Sequence, residues 1–123
     1  MLVVDGLNVI GSRPDGWWRD RGGAKRALVE LLRSHAQRAG EPLVVFFDGR
    51  PIELAPSGAP VEVRFAPGGR DAADDAIVAF LRAAPPGTDA RVVTSDAALA
   101  RRARALGAAV EPAGAFRRRL EEE

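Results

Sequence analysis

The sequence predicts an α/β fold, a three-layer α/β/α sandwich around a mostly parallel sheet of about five strands. Apolar runs of strand length alternate with stretches of helical periodicity along nearly the whole chain. Three of the strand-like runs, VVD, LVVFFD and RVVTSD, end on an aspartate. Parallel strands need crossover connections, and these are right-handed, which places helices on both faces of the sheet.

VVD, ending at Asp5, reads as a short buried strand. An irregular stretch at Gly11–Gly23 follows and carries Trp17 and Trp18. In GGAKRALVELLRSHAQRAG the residues Ala24, Ala27, Leu28, Leu31, Leu32, His35 and Ala36 form one helical stripe, and Gly40 closes the helix. His35, on that stripe, reads as a packed and hydrogen-bonded core histidine. LVVFFD is a second buried strand, followed by a second irregular stretch at Arg50–Pro60. VEVRF alternates, as a strand near the sheet edge does. DAADDAIVAFLRAA is a helix with an acidic first turn, stopped at Pro85-Pro86-Gly87. RVVTSD leads into the helix AALARRARALG. Ala108–Val110 makes a last short strand, and GAFRRRLEEE a salt-bridged surface helix. No repeat, low-complexity segment or linker interrupts residues 1–123, which read as a single domain.

Composition narrows the class without naming it. Hydrophobic residues make up 46% and charged residues 28%, with a net charge of +1, which is ordinary for a globular chain. The absence of cysteine excludes a disulfide framework and a thiolate zinc site. No apolar stretch is long enough to span a bilayer, and MLVVD lacks a basic leader, so a cytoplasmic protein is expected. Lys25 is the only lysine among 18 basic residues. Arginine suits bidentate phosphate contacts, although a GC-rich coding sequence produces the same bias.

Ligands of an open parallel sheet bind beyond the carboxyl ends of its strands, where strand order reverses. In the order 3-2-1-4-5 the first and fourth strands flank that point. Asp5 and Asp96 then face each other, with Asp48 one strand over. On the acidic helix, at ~100° per residue, the core stripe is Ala73, Ile77, Phe80, Leu81 and Ala84. Asp74 lies on its flank, Asp75 points to solvent, and Asp71 sits at the N-cap position. Asp74 is therefore the best-placed fourth carboxylate.

Each of these residues also has a purely structural reading. Asp5-Gly6 and Asp48-Gly49 are turn pairs. Asp71 and Asp74 suit helix capping, and Ser95 or Asp96 caps the next helix. Together, however, clustered carboxylates repel one another, and a cation relieves the repulsion. Oxygen donors with no cysteine and one histidine favour Mg²⁺ or Mn²⁺ over zinc. Asn8 is a further ligand, an orienter of Asp5, or an amide that closes the loop. Ser95 is a cap or a phosphate contact. Arg13, Arg19, Arg21, Arg50 and Arg70 stand where they would line the rim and hold an RNA backbone. Trp17 and Trp18 either pack over the core rim or stack on a nucleobase.

VVDGLNVIG, AKRALVELL, LVVFFDG, AADDAI, VVTSD and GAFRRRLEE resemble, in that order, the YacP-like branch of the NYN domains, which belong to the PIN-domain-like nucleases. The resemblance covers nearly the whole chain. VDGxN and TSD with an intervening AD(D/E) are specific as a set and weak singly. What it implies is a PIN-like fold, a divalent metal (Mg²⁺ or Mn²⁺) held by acidic residues, and hydrolysis of RNA phosphodiester bonds; an endonucleolytic mode is expected, with an exonucleolytic one left open. Asp5, Asn8, Asp48, Asp74 and Asp96 match the motif positions, and Asp75 stands where an acidic residue is also usual. Asp5, Asp74 and Asp96 would hold the metal, with Asp48 or Asp75 contributing directly or through water. Compact loops, and Ala76 where a polar or basic residue is common, bear on substrate contacts more than on metal binding.

Two other classes compete. A non-catalytic RNA- or ribosome-binding module of the same fold predicts salt-sensitive binding that needs neither metal nor Asp5. A haloacid-dehalogenase-like phosphatase wants a second aspartate two residues after Asp5, where Leu7 stands, and a lysine late in the sheet. No GxxxxGK[ST] loop exists, which excludes a P-loop NTPase. The RNA class, whether mRNA, tRNA or rRNA, and the number of metal ions stay open at this level. A monomer or weak homodimer is expected.

Overall fold

In the computed structural model, which describes residues 1–54, 61–69 and 71–123, one parallel sheet organises the chain. Its strands are β1 (Leu2–Asp5), β2 (Leu43–Asp48), β3 (Val61–Ala66), β4 (Arg91–Val93) and β5 (Ala109–Glu111). They stand in the order β3-β2-β1-β4-β5, as expected, so the order reverses between β1 and β4. Asp5 is in register with Phe46 of β2, and Val4 with Val93 of β4. β1 and β2 are apolar up to their closing aspartates because both of their faces are covered. β3 alternates between half-buried and exposed residues, the pattern of an edge strand.

Successive strand residues feed two separate cores, following the twofold period of the strand. Leu2, Val4, Val45 and Phe47 pack with Leu28, Leu32 and Phe116 on one face. Val3, Val44 and Phe46 pack with Ala73, Ile77 and Leu99 on the other. The first layer holds α1 (Gly6–Ile10), α2 (Arg21–Ala39) and α5 (Ala113–Glu122), and the second α3 (Ala72–Ala83) and α4 (Ala97–Ala105).

Asp20 caps α2 by accepting from the Gly23 amide at 3.0 Å, and Gly40 ends the helix in the left-handed region at φ 63°. His35 is buried, as its place on the stripe predicts: Nδ1 meets the Glu123 carboxylate at 2.8 Å and the ring packs edge-on against Phe116. The arginines of α5 pair with other elements rather than with the glutamates that follow them. Arg119 bonds Glu111 at 2.7 Å, and Arg117 reaches Asp15 at 3.4 Å.

Several boundaries differ from the sequence reading. α1 forms directly after Asp5, where the sequence reading assigns no element; its five residues are too few for a period to emerge. Within that stretch a 3₁₀ turn spans Trp17–Arg19. The last strand begins and ends one residue later than Ala108–Val110.

Candidate active site

The carboxyl ends of β1, β2 and β4, with the first turn of α3, place Asp5, Asp48, Asp96 and Asp74 around the point where strand order reverses. Asp5 is 5% exposed, the only buried carboxylate among the described residues. Burial drives its pKa up to about 7; a hydrogen bond from Thr94 opposes the rise, and the charges of Asp74, Asp48 and Asp96 add to it. Among the described residues no cationic side chain offsets it. Asp74, on the flank of the buried stripe, is raised to about 6 by burial and by Asp96, Asp71 and Asp48, with Arg102 opposing.

Each member is held by a bond of its own. Thr94 Oγ1 donates to Asp5 Oδ2 at 3.0 Å and accepts from the Asp96 amide at 3.1 Å, so one buried hydroxyl ties the two facing strand ends together. Asp96 Oδ1 caps α4 through the Leu99 amide at 3.0 Å. Asp48 Oδ1 accepts from the Ala73 amide at 3.0 Å and so caps α3 from across the sheet. Asp71 occupies the N-cap position with φ 67° but makes no side-chain cap bond. Asn8 Oδ1 accepts from the Ser95 amide at 2.7 Å, which fastens α1 to the β4–α4 turn and not to Asp5 itself. Ser95 Oγ accepts from the Ala113 amide at 2.9 Å, capping α5 rather than α4. Asp75 is exposed, pairs with Arg102 at 3.1 Å and is not among the charges acting on Asp5.

Two contributors escaped the sequence reading. Thr94 stands inside the TSD motif, which was the available signal. Lys25, the sole lysine, is buried on α2 and donates from Nζ to the Asp48 carbonyl at 3.0 Å. Burial and Arg21 push its pKa down, while Asp48 pulls it up. Of the rim arginines, Arg13 is paired with Glu121, whereas Arg50 is exposed. The guanidinium of Arg19 lies 5.9 Å from the Trp18 ring and that of Arg21 lies 5.4 Å from Trp17. Arg70 lies outside the described residues. Trp17 packs against the core rim, while Trp18 is 50% exposed. A larger cavity, about 610 Å³ between α3 and the β2–β3 edge, carries no carboxylate.

The donors fit a hard divalent cation: all are oxygens, and among the described residues the buried Asp5 charge has no counter-charge. Among the described residues no three acidic or histidine side chains converge into a closed ligand cage. A divalent cation bound here would therefore keep part of its water shell.

Thr94→Val tests the bridging hydroxyl. Loss of the hydrogen bond should raise Asp5 further, moving the acid limb of a pH–rate profile to higher pH. The Asp96 amide would lose its acceptor, at about 1–2 kcal/mol read by thermal denaturation. An unmoved acid limb would show that Thr94 does not set the Asp5 charge.

A parallel 3-2-1-4-5 sheet with aspartates at its switch point is the architecture of a PIN-like nuclease fold. The sequence model of the YacP-like NYN domain matches residues 2–123, and the chain belongs to that family. Among solved structures, it is similar to Rae1 (YacP) from Bacillus subtilis at 26% identity and a TM-score of 0.81, covering 99% of this chain and 74% of that one. A point mutant of the same protein matches at 25% identity and a TM-score of 0.80, covering 98% and 74%. No curated protein matches the chain. No helix among the described residues is long and apolar enough to cross a membrane.

Proposed function

We propose that this domain is a metal-dependent endoribonuclease. The observation that carries the reading is the buried Asp5 at the switch point, ringed by Asp74, Asp48 and Asp96 with no cationic partner among the described residues. Family membership supports RNA as the substrate class. Asp5, Asp74 and Asp96 would hold Mg²⁺ or Mn²⁺. Asp48, whose Oδ1 is engaged by Ala73, would contribute through its second oxygen or through water. Bound there, the cation supplies charge neutralisation at the phosphate and lowers the pKa of an attacking water.

The chain's own residues do the positioning. Thr94 orients Asp5, the Asn8–Ser95 bond holds α1 against the β4–α4 turn, and Lys25 fixes the main chain that carries Asp48. Arg19, Arg21 and Arg50, with Arg13 and Arg70, would hold the RNA backbone, a set of contacts that weakens with salt and carries little sequence information.

One observation favours a second reading, a non-catalytic RNA-binding module: Asp48 and Asp96 already serve as helix caps. Cleavage of a labelled, structured RNA in Mg²⁺, Mn²⁺ or EDTA separates the two. Cutting that needs metal, and that Asp5→Asn and Asp96→Asn abolish while remaining folded, is the expected result. Binding without cutting, indifferent to EDTA, would establish the module instead. An asparagine at position 96 keeps the cap oxygen, so the comparison reads charge and not folding.

A further inference from the structure

A cavity of about 270 Å³ opens between the Asp15–Asp20 loop and α2. Its walls are Trp17 and the apolar side chains Ala24, Leu28 and Leu31, and three charged groups reach it, Asp15, Arg117 and Asp20, the last engaged as the α2 cap. We propose that this cavity receives one unpaired nucleobase of the bound RNA, stacked on Trp17, with Asp15 and Arg117 on its edge. The inference rests on the RNA reading above and adds a base-binding subsite to it.

Four observations support this ligand. An indole forming the wall of an apolar slot offers the flat surface on which a base stacks, and every base has such a face. The polar groups have the right chemistry, and Arg117 is held in position by donating to the Ile10 carbonyl at 3.0 Å. The Asp15–Arg117 pair is 3.4 Å apart, longer than a well-made hydrogen bond, so a ligand edge can take its place at small cost. A carboxylate acceptor beside a guanidinium donor answers the donor and acceptor that each base carries on its pairing edge. Charge favours a neutral ring over a phosphate: two carboxylates, Asp15 and Asp20, line the cavity against the single guanidinium of Arg117.

Cations lie outside the slot, on the side of the catalytic carboxylates. Arg21 stands over Trp17 and close enough to Lys25 to depress its pKa, and Lys25 bonds the Asp48 main chain. A chain of positive charge therefore runs from Asp48 to the Trp17 ring, where the backbone of a strand entering the slot would lie. A base held in a duplex is stacked and paired and cannot enter, so the subsite selects an unpaired nucleotide.

The molecule supplies its own reporter, since Trp17 and Trp18 are its only tryptophans. Trp18→Phe leaves Trp17 as the single fluorophore, and Asp5→Asn in EDTA prevents cleavage during the titration. The probes are a short unpaired oligoribonucleotide, the same sequence annealed to its complement, and the same length bearing one abasic position at each site in turn. The unpaired probe should change Trp17 emission. The duplex should not, and one abasic position should weaken binding about tenfold, the scale of one stacked base. Trp17→Leu, which keeps apolar volume at the core rim, should weaken binding equally, and Trp17→Phe should restore most of it. Binding by anisotropy that leaves Trp17 emission unchanged, with Trp17→Leu binding as tightly as Trp17→Phe, would overturn the subsite and leave the RNA reading standing. No binding of any probe would overturn both.

Discussion

Asp5→Asn abolishes RNA cleavage and, in the absence of divalent cation at pH 8, raises the melting temperature: that is the expected pair of results. The two halves have one cause. The Asp5 carboxyl is raised from 3.8 to about 7 in the folded protein, chiefly by burial. A folded pKa above the unfolded one means that its stabilising contribution is complete below about pH 4 and is lost as pH rises through about 7. Above that the fold carries an ionised, buried carboxylate with other carboxylates around it. An asparagine removes the charge, keeps the shape, and still offers an oxygen to Thr94 Oγ1. A shift of this size corresponds to at most about 4 kcal/mol, so a gain of roughly 5–10 °C is expected at pH 8. The gain should shrink towards zero near pH 4, where Asp5 is already neutral in both states. Mg²⁺ should reverse the order of stability: a cation that binds only the folded wild type stabilises it in proportion to its occupancy, and the variant lacks the central carboxylate. Melting curves across pH 4–8, with Mg²⁺ and with EDTA, read all of this. A variant less stable than wild type at pH 8 in EDTA would mean that Asp5 is satisfied without a cation, and the metal assignment would lose its physical basis.

That instability is built into a part of the chain that the sequence makes easy to read. β1 and β2 are apolar runs that close on an aspartate, and β4 leads within three residues to Asp96, so the carboxylates are conspicuous, and parallel connectivity brings those ends to one edge of the sheet. The placement of Asp74 also follows from helical periodicity, because it borders the stripe containing Ala73 and Ile77. What a linear reading misses is which partner each side chain finds. Asp48 caps a helix that starts 24 residues later, at Ala72. Ser95 caps α5 rather than the adjacent α4, and Asn8 bonds Ser95 rather than its near neighbour Asp5. Such bonds depend on how strand ends and helix starts meet in three dimensions, and no local period encodes them. Lys25 is hidden for the same reason. On the helix it is one charge beside an apolar stripe, and only packing against β2 brings its ammonium to the Asp48 carbonyl. Trp17 and Trp18 divide two readings that looked exclusive, one indole packing at the core rim and the other half in solvent.

Gly6→Ala is expected to destabilise the fold by about 3 kcal/mol or more and to remove activity with it. Gly6 directly follows Asp5 and opens α1, and its backbone is not left-handed, so the constraint is one of space. A Cβ at this position would run into the ring of Phe47 and stand 2.9 Å from the carbonyl oxygen of Phe46. Neither neighbour can yield. Phe47 is fully buried, stacked against Phe65 with centroids 5.8 Å apart, and lies beneath the Lys25 ammonium at 5.7 Å. The Phe46 carbonyl belongs to the central part of the sheet, in register with Asp5. The strain must therefore move α1 away from β2. That displacement carries Asn8 off the Ser95 amide, a bond of 2.7 Å, and tilts the chain that presents Asp5. Close approach of α1 to β2 thus sets both the packing beneath the site and the aim of the carboxylate above it. Gly22→Ala provides the contrast. There a Cβ would meet only the flexible end of Arg26 at 3.2 Å, within the first turn of α2, so stability should hold or rise by up to about 1 kcal/mol. Thermal denaturation of the two variants side by side distinguishes a spatial requirement from a general cost of altering glycine. If Gly6→Ala melts with Gly22→Ala, then α1 is free to shift, and the rigid seat assigned to Asp5 does not exist.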